Sequence, residues 1–512
     1  MRKSLVVYLL LMIGIAGTCT AFTVFGSRQK IVRYHQHLEE PDEDALGVCS
    51  ICGGESELCT HLPLISIDTG GKKIPGRVIT SPEGLVMGYE TSDHGEEEIA
   101  VQVKIFDKKG QWHHLTDQED QNLSAMFRVR GNTSRYFAKS NYKMTLVDSG
   151  DPQVEVKEKL LGMDAGSEWA LHGPYLDKTL MRNYVCMNLS AEIMGDSPDV
   201  RFCELVVDGK YRGVYVLMEM IHEGEGRVDL TDYEEGDAVF SYMVRIEPQK
   251  AFLENPKKLD TFTRYTERME LGSQMELIYP GTAYQTEQVR EYVETDMNEI
   301  ERRLYSNEME KDPDSCWEYL DLQSFADYYI LQEYLAVNDA FYASTYFYKD
   351  VRGKLHVGPV WDYNNALDNF LRQMPETEFL ISQRGWYSQI MKSKKFVNYV
   401  IERYKNLRKG VLAQENLENY VRETEKWLGS AVDRNFRVWG YTFDVDQLMN
   451  FERQCPAYGD DAPLQELNPG SYEEAVEWML DYAEVRGRWL DRQMDTLHQY
   501  CHPSRKTGIE GD

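Results

Sequence analysis

The stretch from Asp321 to Asn369 constrains this chain most. It opens on Asp321, an N-cap residue. Leu322, Phe325, Tyr328, Tyr329, Leu331 and Leu335 follow at a spacing that predicts a buried helix. The helical pattern gives way to Asn338-Asp339. Two strands joined by a turn at Arg352-Gly353 come next, and the second, over residues 354–360, ends at Trp361-Asp362. The C-terminus of a helix carries the negative end of its macrodipole, so a carboxylate just past it gains nothing from the backbone. An acid in that place has a cation or a proton to handle, or it is a plain Asn-Asp turn. Acids at the two ends of one helix–hairpin unit bring two distant carboxylates to one mouth.

The rest of the composition narrows the class. The chain has 512 residues, of which 42% are hydrophobic, enough for two or three domains with real cores. A formal net charge of −29 opposes non-specific nucleic-acid binding, and no basic helix, DNA-binding zinc-finger spacing or internal repeat is present. The same charge favours solubility or a basic partner. From Ser4 to Phe25 there is no charged residue. At about 1.5 Å per residue, such a run crosses a bilayer core of about 30 Å. It reads as a signal anchor holding an exported, cell-surface protein, the alternative being a cleaved signal peptide and secretion. Of nine cysteines, Cys19 lies in that run and an even number remains outside it, which suits accessory disulfides. Cys49, Cys52, Cys59 and His61 are candidates for a structural zinc site, for one disulfide with spectators, or for reduced thiols in a stalk.

Taken in order, residues 62–118 read as strands separated by turns. Gly70-Gly71 is a turn and not a phosphate loop, since no GK[ST] ending follows. Between Arg128 and Lys143 stand Arg128, Arg130, Arg135, Lys139 and Lys143 with no acid among them. Such a basic strand neutralises phosphate oxygens or pairs with the chain's many carboxylates. Residues 177–195 carry helical spacing, and residues 200–221 form a hairpin around Asp208-Gly209. Residues 222–310 are irregular, then strand-like, then helical, and read as a connector without chemistry. Residues 371–500 are mostly helical.

Several short motifs recur in a set order. They are Arg130-Gly131-Asn132-Thr133-Ser134 with Lys139 and Tyr142-Lys143; Asp177 with Met181-Arg182-Asn183; Gly209-Lys210-Tyr211-Arg212-Gly213-Val214-Tyr215 leading to Glu219; Asn338-Asp339; Tyr346-Phe347-Tyr348-Lys349; and Pro359-Val360-Trp361-Asp362. With these the chain resembles the spore coat protein H (CotH) kinase family over about residues 62–410. The ordinary kinase motifs G-x-G-x-x-G, H-R-D and D-F-G are absent. The resemblance implies an atypical protein-kinase-like fold, ATP with Mg²⁺ or Mn²⁺, and phosphorylation of Ser on protein substrates. Carried over by position, Asp339 is the catalytic acid that accepts or orients the substrate hydroxyl, and Asp362 is a metal ligand. Ser344 stands where the family pattern has Asn, and Asn364 where it has a second Asp. A hydroxyl and an amide oxygen still suit a hard cation. Arg130, Lys139, Lys143, Glu192 and Glu219 are the nucleotide-side candidates, each against the alternative of a surface ion pair.

The expected fold is therefore α+β: a β-rich N-terminal part and a helical C-terminal part, preceded by one transmembrane or signal-anchor helix. The expected organisation is an anchor or signal over 1–30, a Cys-containing juxtamembrane segment over 31–61 and a β-rich region over 62–125. The kinase-like core follows over 126–410, then a helical region over 411–500 and a tail over 501–512. Two rivals to a kinase remain: a non-catalytic surface or coat-type assembly protein on the same fold, and a glycan-associated wall protein using its aromatic helices.

Overall fold

Strict alternation from Ile99 to Phe106 sets the N-terminal architecture. Ile99, Val101, Val103 and Ile105 are buried while the residues between them are exposed, as a strand with one face on a core requires. In a computed structural model, which describes residues 33–53, 58–81, 86–224, 226–248, 257–261, 273–369, 374–452 and 468–501, this strand is one of thirteen among the described residues. They are β1 (Leu64–Asp68), β2 (Val78–Thr80), β3 (Val86–Tyr89), β4 (Ile99–Phe106), β5 (Gln121–Val129), β6 (Tyr142–Val147), β7 (Glu168–His172), β8 (Val200–Val207), β9 (Lys210–Glu219), β10 (Tyr242–Pro248), β11 (Ser273–Tyr279), β12 (Thr345–Lys349) and β13 (Leu355–Val357).

Seven strands close into a barrel in the order β1-β4-β5-β6-β7-β9-β8. Closure comes from β1, which pairs antiparallel with β4 on one side and parallel with β8 on the other. The barrel interior is filled by side chains such as Ile65, Val103, Phe127, Met144, Trp169 and Leu217. The β8–β9 hairpin turns at Asp208-Gly209, both with positive φ (49° and 72°), which is the twist a two-residue hairpin turn needs. A second sheet runs β11-β10-β12-β13, and β2–β3 form a separate ribbon.

The helices are α1 (Gln36–Glu39), α2 (Glu43–Leu46), α3 (Arg182–Ala191), α4 (Glu287–Leu304), α5 (Asn307–Lys311), α6 (Leu322–Tyr334), α7 (Tyr387–Ile390), α8 (Lys394–Leu407), α9 (Gln414–Leu428), α10 (Ser430–Trp439), α11 (Val445–Glu452) and α12 (Tyr472–Gln493). Asp321 caps α6 by accepting from Ser324 N at 2.8 Å. From Phe325 to Tyr334 every residue of α6 is buried, so this is a central helix and not an amphipathic one.

The described residues from His35 onward form one compact unit. Of the preceding unit, only Arg33 and Tyr34 are described. Among the described residues no helix is long and apolar enough to cross a membrane. The apolar run over residues 4–25 lies outside them.

Three expectations change. The strand expected over 354–360 is only Leu355–Val357, because Gly358 turns with φ +121° and Pro359 has no N–H to continue the ladder. Asp362 thus lies in a loop beyond the strand. The described cysteines are free thiols, with no disulfide among them; Cys19 and Cys455 fall outside the described residues. The segment 222–310 is no mere connector: it supplies β10 and β11, half of the second sheet.

Candidate active site

Helix α6 ends at Tyr334, and Ala336 then adopts φ +50°, which stops the helix from running on to Asp339. Asp339 O accepts from Tyr342 N and Ala343 N, both at 2.8 Å, closing a tight turn. Arg384 spans the same turn, donating to Asn338 O at 2.6 Å and Ala340 O at 3.0 Å. Phe341 has φ +60°, a conformation that costs a non-glycine residue about 1 kcal/mol or more. Its ring is held there against Phe347, Trp386 and Tyr387, with centroids 5.2–6.0 Å apart. Ser344 follows at φ +50° and β12 begins at Thr345.

The loop that carries Asp362 is fixed from α3. Tyr363 N donates to Asn183 Oδ1 at 2.8 Å. Arg182 donates to Ala366 O at 2.9 Å and to Leu367 O at 3.3 Å, and pairs with buried Asp177 at 2.6 Å. Leu367 N reaches back to Leu335 O at 2.7 Å, tying the loop to the end of α6. The motif Asp177…Met181-Arg182-Asn183 is thus the scaffold that aims the Asp362 loop. Asp362 itself sits at φ +65°.

The two acids meet one electrostatic environment. Burial, and next the Asp339 carboxylate, push the Asp362 carboxyl up to about 7, against the pull of Arg130. Arg130, one residue past β5, stacks over Trp361 at 5.5 Å from the ring centroid. Asn365 Nδ2 donates to Asp339 Oδ2 at 3.5 Å. The side-chain oxygens Oδ1 of Asn364 and of Asn365 are both buried without a hydrogen-bond partner among the described residues.

The second sheet extends this environment. Arg245 of β10 stands opposite Glu276 of β11 and Tyr346 of β12. Arg245 donates to Glu276 Oε2 at 2.8 and 2.9 Å and to Tyr346 Oη at 3.3 Å. Glu247, two residues on and so on the same face, receives Asn132 Nδ2 at 3.5 Å and adds its charge at Asp362.

A profile of the family described as CotH kinase protein matches residues 127–490. The chain belongs to the CotH kinase protein family. No curated protein matches it. The matched region of this CotH chain begins in β5 and ends within α12, so it takes in Arg130, both acids and the late helices.

A kinase-type family implies a nucleotide and a divalent metal, and the donors here fit a hard cation. Two carboxylates and two unpartnered amide oxygens are oxygen ligands of the kind Mg²⁺ and Mn²⁺ take. The other candidates of the CotH chain are engaged in the fold. Lys139 is buried and donates to Asn435 Oδ1 at 2.7 Å and Pro174 O at 3.4 Å. Lys143 forms an ion pair with Glu168, which also meets His222 at 2.8 Å. Glu192 pairs with His35 at 3.1 Å. Glu219 accepts from Asp199 N at 2.9 Å and pairs with Arg227 at 3.3 Å.

Sequence reading passed over Arg245, Glu247, Glu276, Asn365 and Arg384. The alternating V-R-I-E stretch at 244–247 was the available signal for a strand with one polar face. The cysteine cluster also changes. Cys49, Cys52 and Cys59 converge with His114 and not with His61. His61 is occupied elsewhere, with Nε2 2.7 Å from Trp427 O and Nδ1 3.3 Å from Glu43.

Proposed function

We propose that this chain is a metal-dependent protein kinase that transfers the γ-phosphoryl group of ATP to Ser of a protein. The observation that carries the reading is the pair Asp339 and Asp362, crowded enough that one carboxylate raises the other, with Arg130 beside them. Two like charges brought together in a partly desolvated loop are a site short of a cation. Asp362, Asp339 and the amide oxygens of Asn364 and Asn365 would hold it. A bound divalent ion supplies charge neutralisation across the nucleotide's phosphate oxygens. Arg130, braced on Trp361, presents its guanidinium to the same phosphates. Asp339 orients the Ser hydroxyl and accepts its proton as the Ser oxygen bonds to the γ-phosphorus. The bond from that phosphorus to the bridging oxygen breaks, and ADP leaves with the electron pair. The acidic chain suits a basic protein substrate, and the apolar N-terminal run suits an exported, membrane-held or secreted protein.

A second reading keeps the fold and drops the chemistry: a surface or coat-type assembly protein that binds nucleotide without using it. Ser344 and Asn364 favour it, since each is a weaker metal ligand than the residue in the family pattern.

The discriminating experiment takes the full chain with labelled ATP and Mg²⁺ or Mn²⁺, beside Asp362→Ala and Asp339→Asn. The kinase reading expects label on Ser of the protein itself or of a basic protein. It also expects a nucleotide-dependent thermal shift that Asp362→Ala abolishes. Asp339→Asn, which removes one carboxylate but leaves an amide oxygen, should weaken the shift without abolishing it and lose transfer by about 10²–10⁴-fold. A shift without transfer selects the assembly reading, and neither shift nor transfer overturns both. Protease access to intact cells tests export; protection of the C-terminal part overturns it.

A further inference from the structure

Outside the site just described, one cluster of side chains has the composition of a metal centre. Cys49, Cys52 and Cys59 offer three sulfurs, and His114 offers one ring nitrogen, all within 4.8 Å of one another. His114 Nε2 lies 3.6 Å from Cys49 Sγ and 3.4 Å from Cys52 Sγ. In a tetrahedral zinc site with bonds of about 2.3 Å to sulfur and about 2.0–2.1 Å to nitrogen, neighbouring S and N atoms lie about 3.6 Å apart. The sulfur–nitrogen spacing here is that of ligands around an ion, and Cys49, Cys52 and Cys59 are free thiols.

The backbone builds this arrangement independently of any ion. Thr60 and His113 exchange hydrogen bonds, N to O at 3.2 Å and 2.7 Å, as an isolated antiparallel bridge. That bridge sets Cys59 beside His114. Trp112 Nε1 donates to Gly47 O at 3.0 Å, two residues before Cys49. Asp117 fixes the imidazole: its carboxylate accepts from His114 N at 2.8 Å and lies 3.2 Å from Nδ1, leaving Nε2 toward the sulfurs. A carboxylate on the far ring nitrogen is what orients a zinc-bound histidine. Cys49, Cys59 and His114 are buried, and four protein ligands leave no open coordination position.

We propose that Cys49, Cys52, Cys59 and His114 bind a structural zinc ion that staples residues 47–53 and 58–61 to the loop over 107–117 after β4. Three thiolates and an imidazole select zinc over the hard cations suited to the Asp339–Asp362 site. The ion is thereby separate from the one required for phosphoryl transfer. Its purpose is to hold the described residues 47–53 and 58–61, between α2 and β1, against the loop that follows β4.

The test uses the full chain purified with reductant, its metal content read by mass spectrometry. One zinc per chain is expected. Cys52→Ser and His114→Ala each lose it, while His61→Ala keeps it. Asp117→Asn should fold as the parent by circular dichroism and still bind zinc, but about 10–100-fold more weakly in competition with a chelator. Cobalt substituted for zinc should give the thiolate charge-transfer absorption of a tetrahedral site. Folded, fully reduced protein that carries no zinc and takes up no cobalt overturns the proposal. So does loss of zinc in His61→Ala with retention in His114→Ala, or an Asp117→Asn protein whose zinc affinity is unchanged.

Discussion

At the scale of single residues, Asp362 decides how the site responds to pH. Burial and the Asp339 charge hold its carboxyl at about 7 in the folded chain, above the ordinary 3.8. A raised folded pKa means that the neutral acid is the better-tolerated form. The associated stability is present in full below the unfolded value and is lost as pH rises through about 7. A cation shared by both carboxylates reverses this, because ligation requires the deprotonated acid. The metal-free chain should therefore lose melting temperature between about pH 5 and 8, and Mn²⁺ should restore it. Mn²⁺ affinity should rise about tenfold per pH unit below 7 and level off above it. Asp362→Asn should flatten both curves; a wild-type affinity independent of pH over that range would sink the shared-cation site. Ser344, near the other acid, sits at φ +50°. That is a backbone region which Asn tolerates better than Ser, and this gives a conformational reason for the Asn of the family pattern at that position.

At the scale of elements, the Asp362 loop is only as well placed as α3 makes it. Arg182 joins Asp177 to the carbonyls of Ala366 and Leu367, and all of these partners are buried. Removing one partner of such a pair leaves an uncompensated buried charge, at a cost of about 3–5 kcal/mol. Arg182→Ala should lower the urea midpoint accordingly and abolish the metal-dependent thermal shift. Stability that falls by less than about 1 kcal/mol with the shift intact would show that the loop holds itself. This coupling explains what was legible beforehand. The α6 helix, its Asp321 cap and the Asp208-Gly209 hairpin are local patterns, set by spacing and turn chemistry, and the chain declares them openly. The two acids were found because they flank such patterns. Glu247 and Glu276 were not, because they reach the site through sheet pairing between strands far apart in sequence. The same holds for His114, brought to the cysteines by the Thr60–His113 bridge and placed 55 residues after Cys59, outside any local metal-binding spacing.

At the scale of the whole molecule, the late helices complete the earlier ones. Arg486 of α12 donates to Glu333 Oε2 at 2.7 Å and to Glu333 O at 2.9 Å, with both side chains essentially inaccessible to solvent. Glu333 in turn accepts from Leu380 N and Ile381 N. Arg434 of α10 grips Glu204 of β8 with two hydrogen bonds at 2.9 and 3.0 Å. A chain ending at residue 410 would take from both glutamates the arginine that balances their charge and would expose the apolar faces of α6 and β8. It should aggregate or unfold without a cooperative transition; a monomer with sharp urea unfolding would overturn that expectation. The first helical turns among the described residues depend on β8 and on the late helices. Gln36 pairs with the backbone of Phe202, Lys426 with Asp42, and Glu43 accepts from Ser430 N at 3.1 Å across a sequence separation of 387 residues. Synthesis proceeds at roughly 5–20 residues per second, so the partner of Glu43 emerges roughly 20–80 s after it. Throughout that interval α2 lacks its α10 partner, while Gln36 of α1 waits only for Phe202 of β8, 166 residues on. The newborn protein therefore passes through a waiting period in which the residues around α2 are open to chaperones, proteases and metal ions.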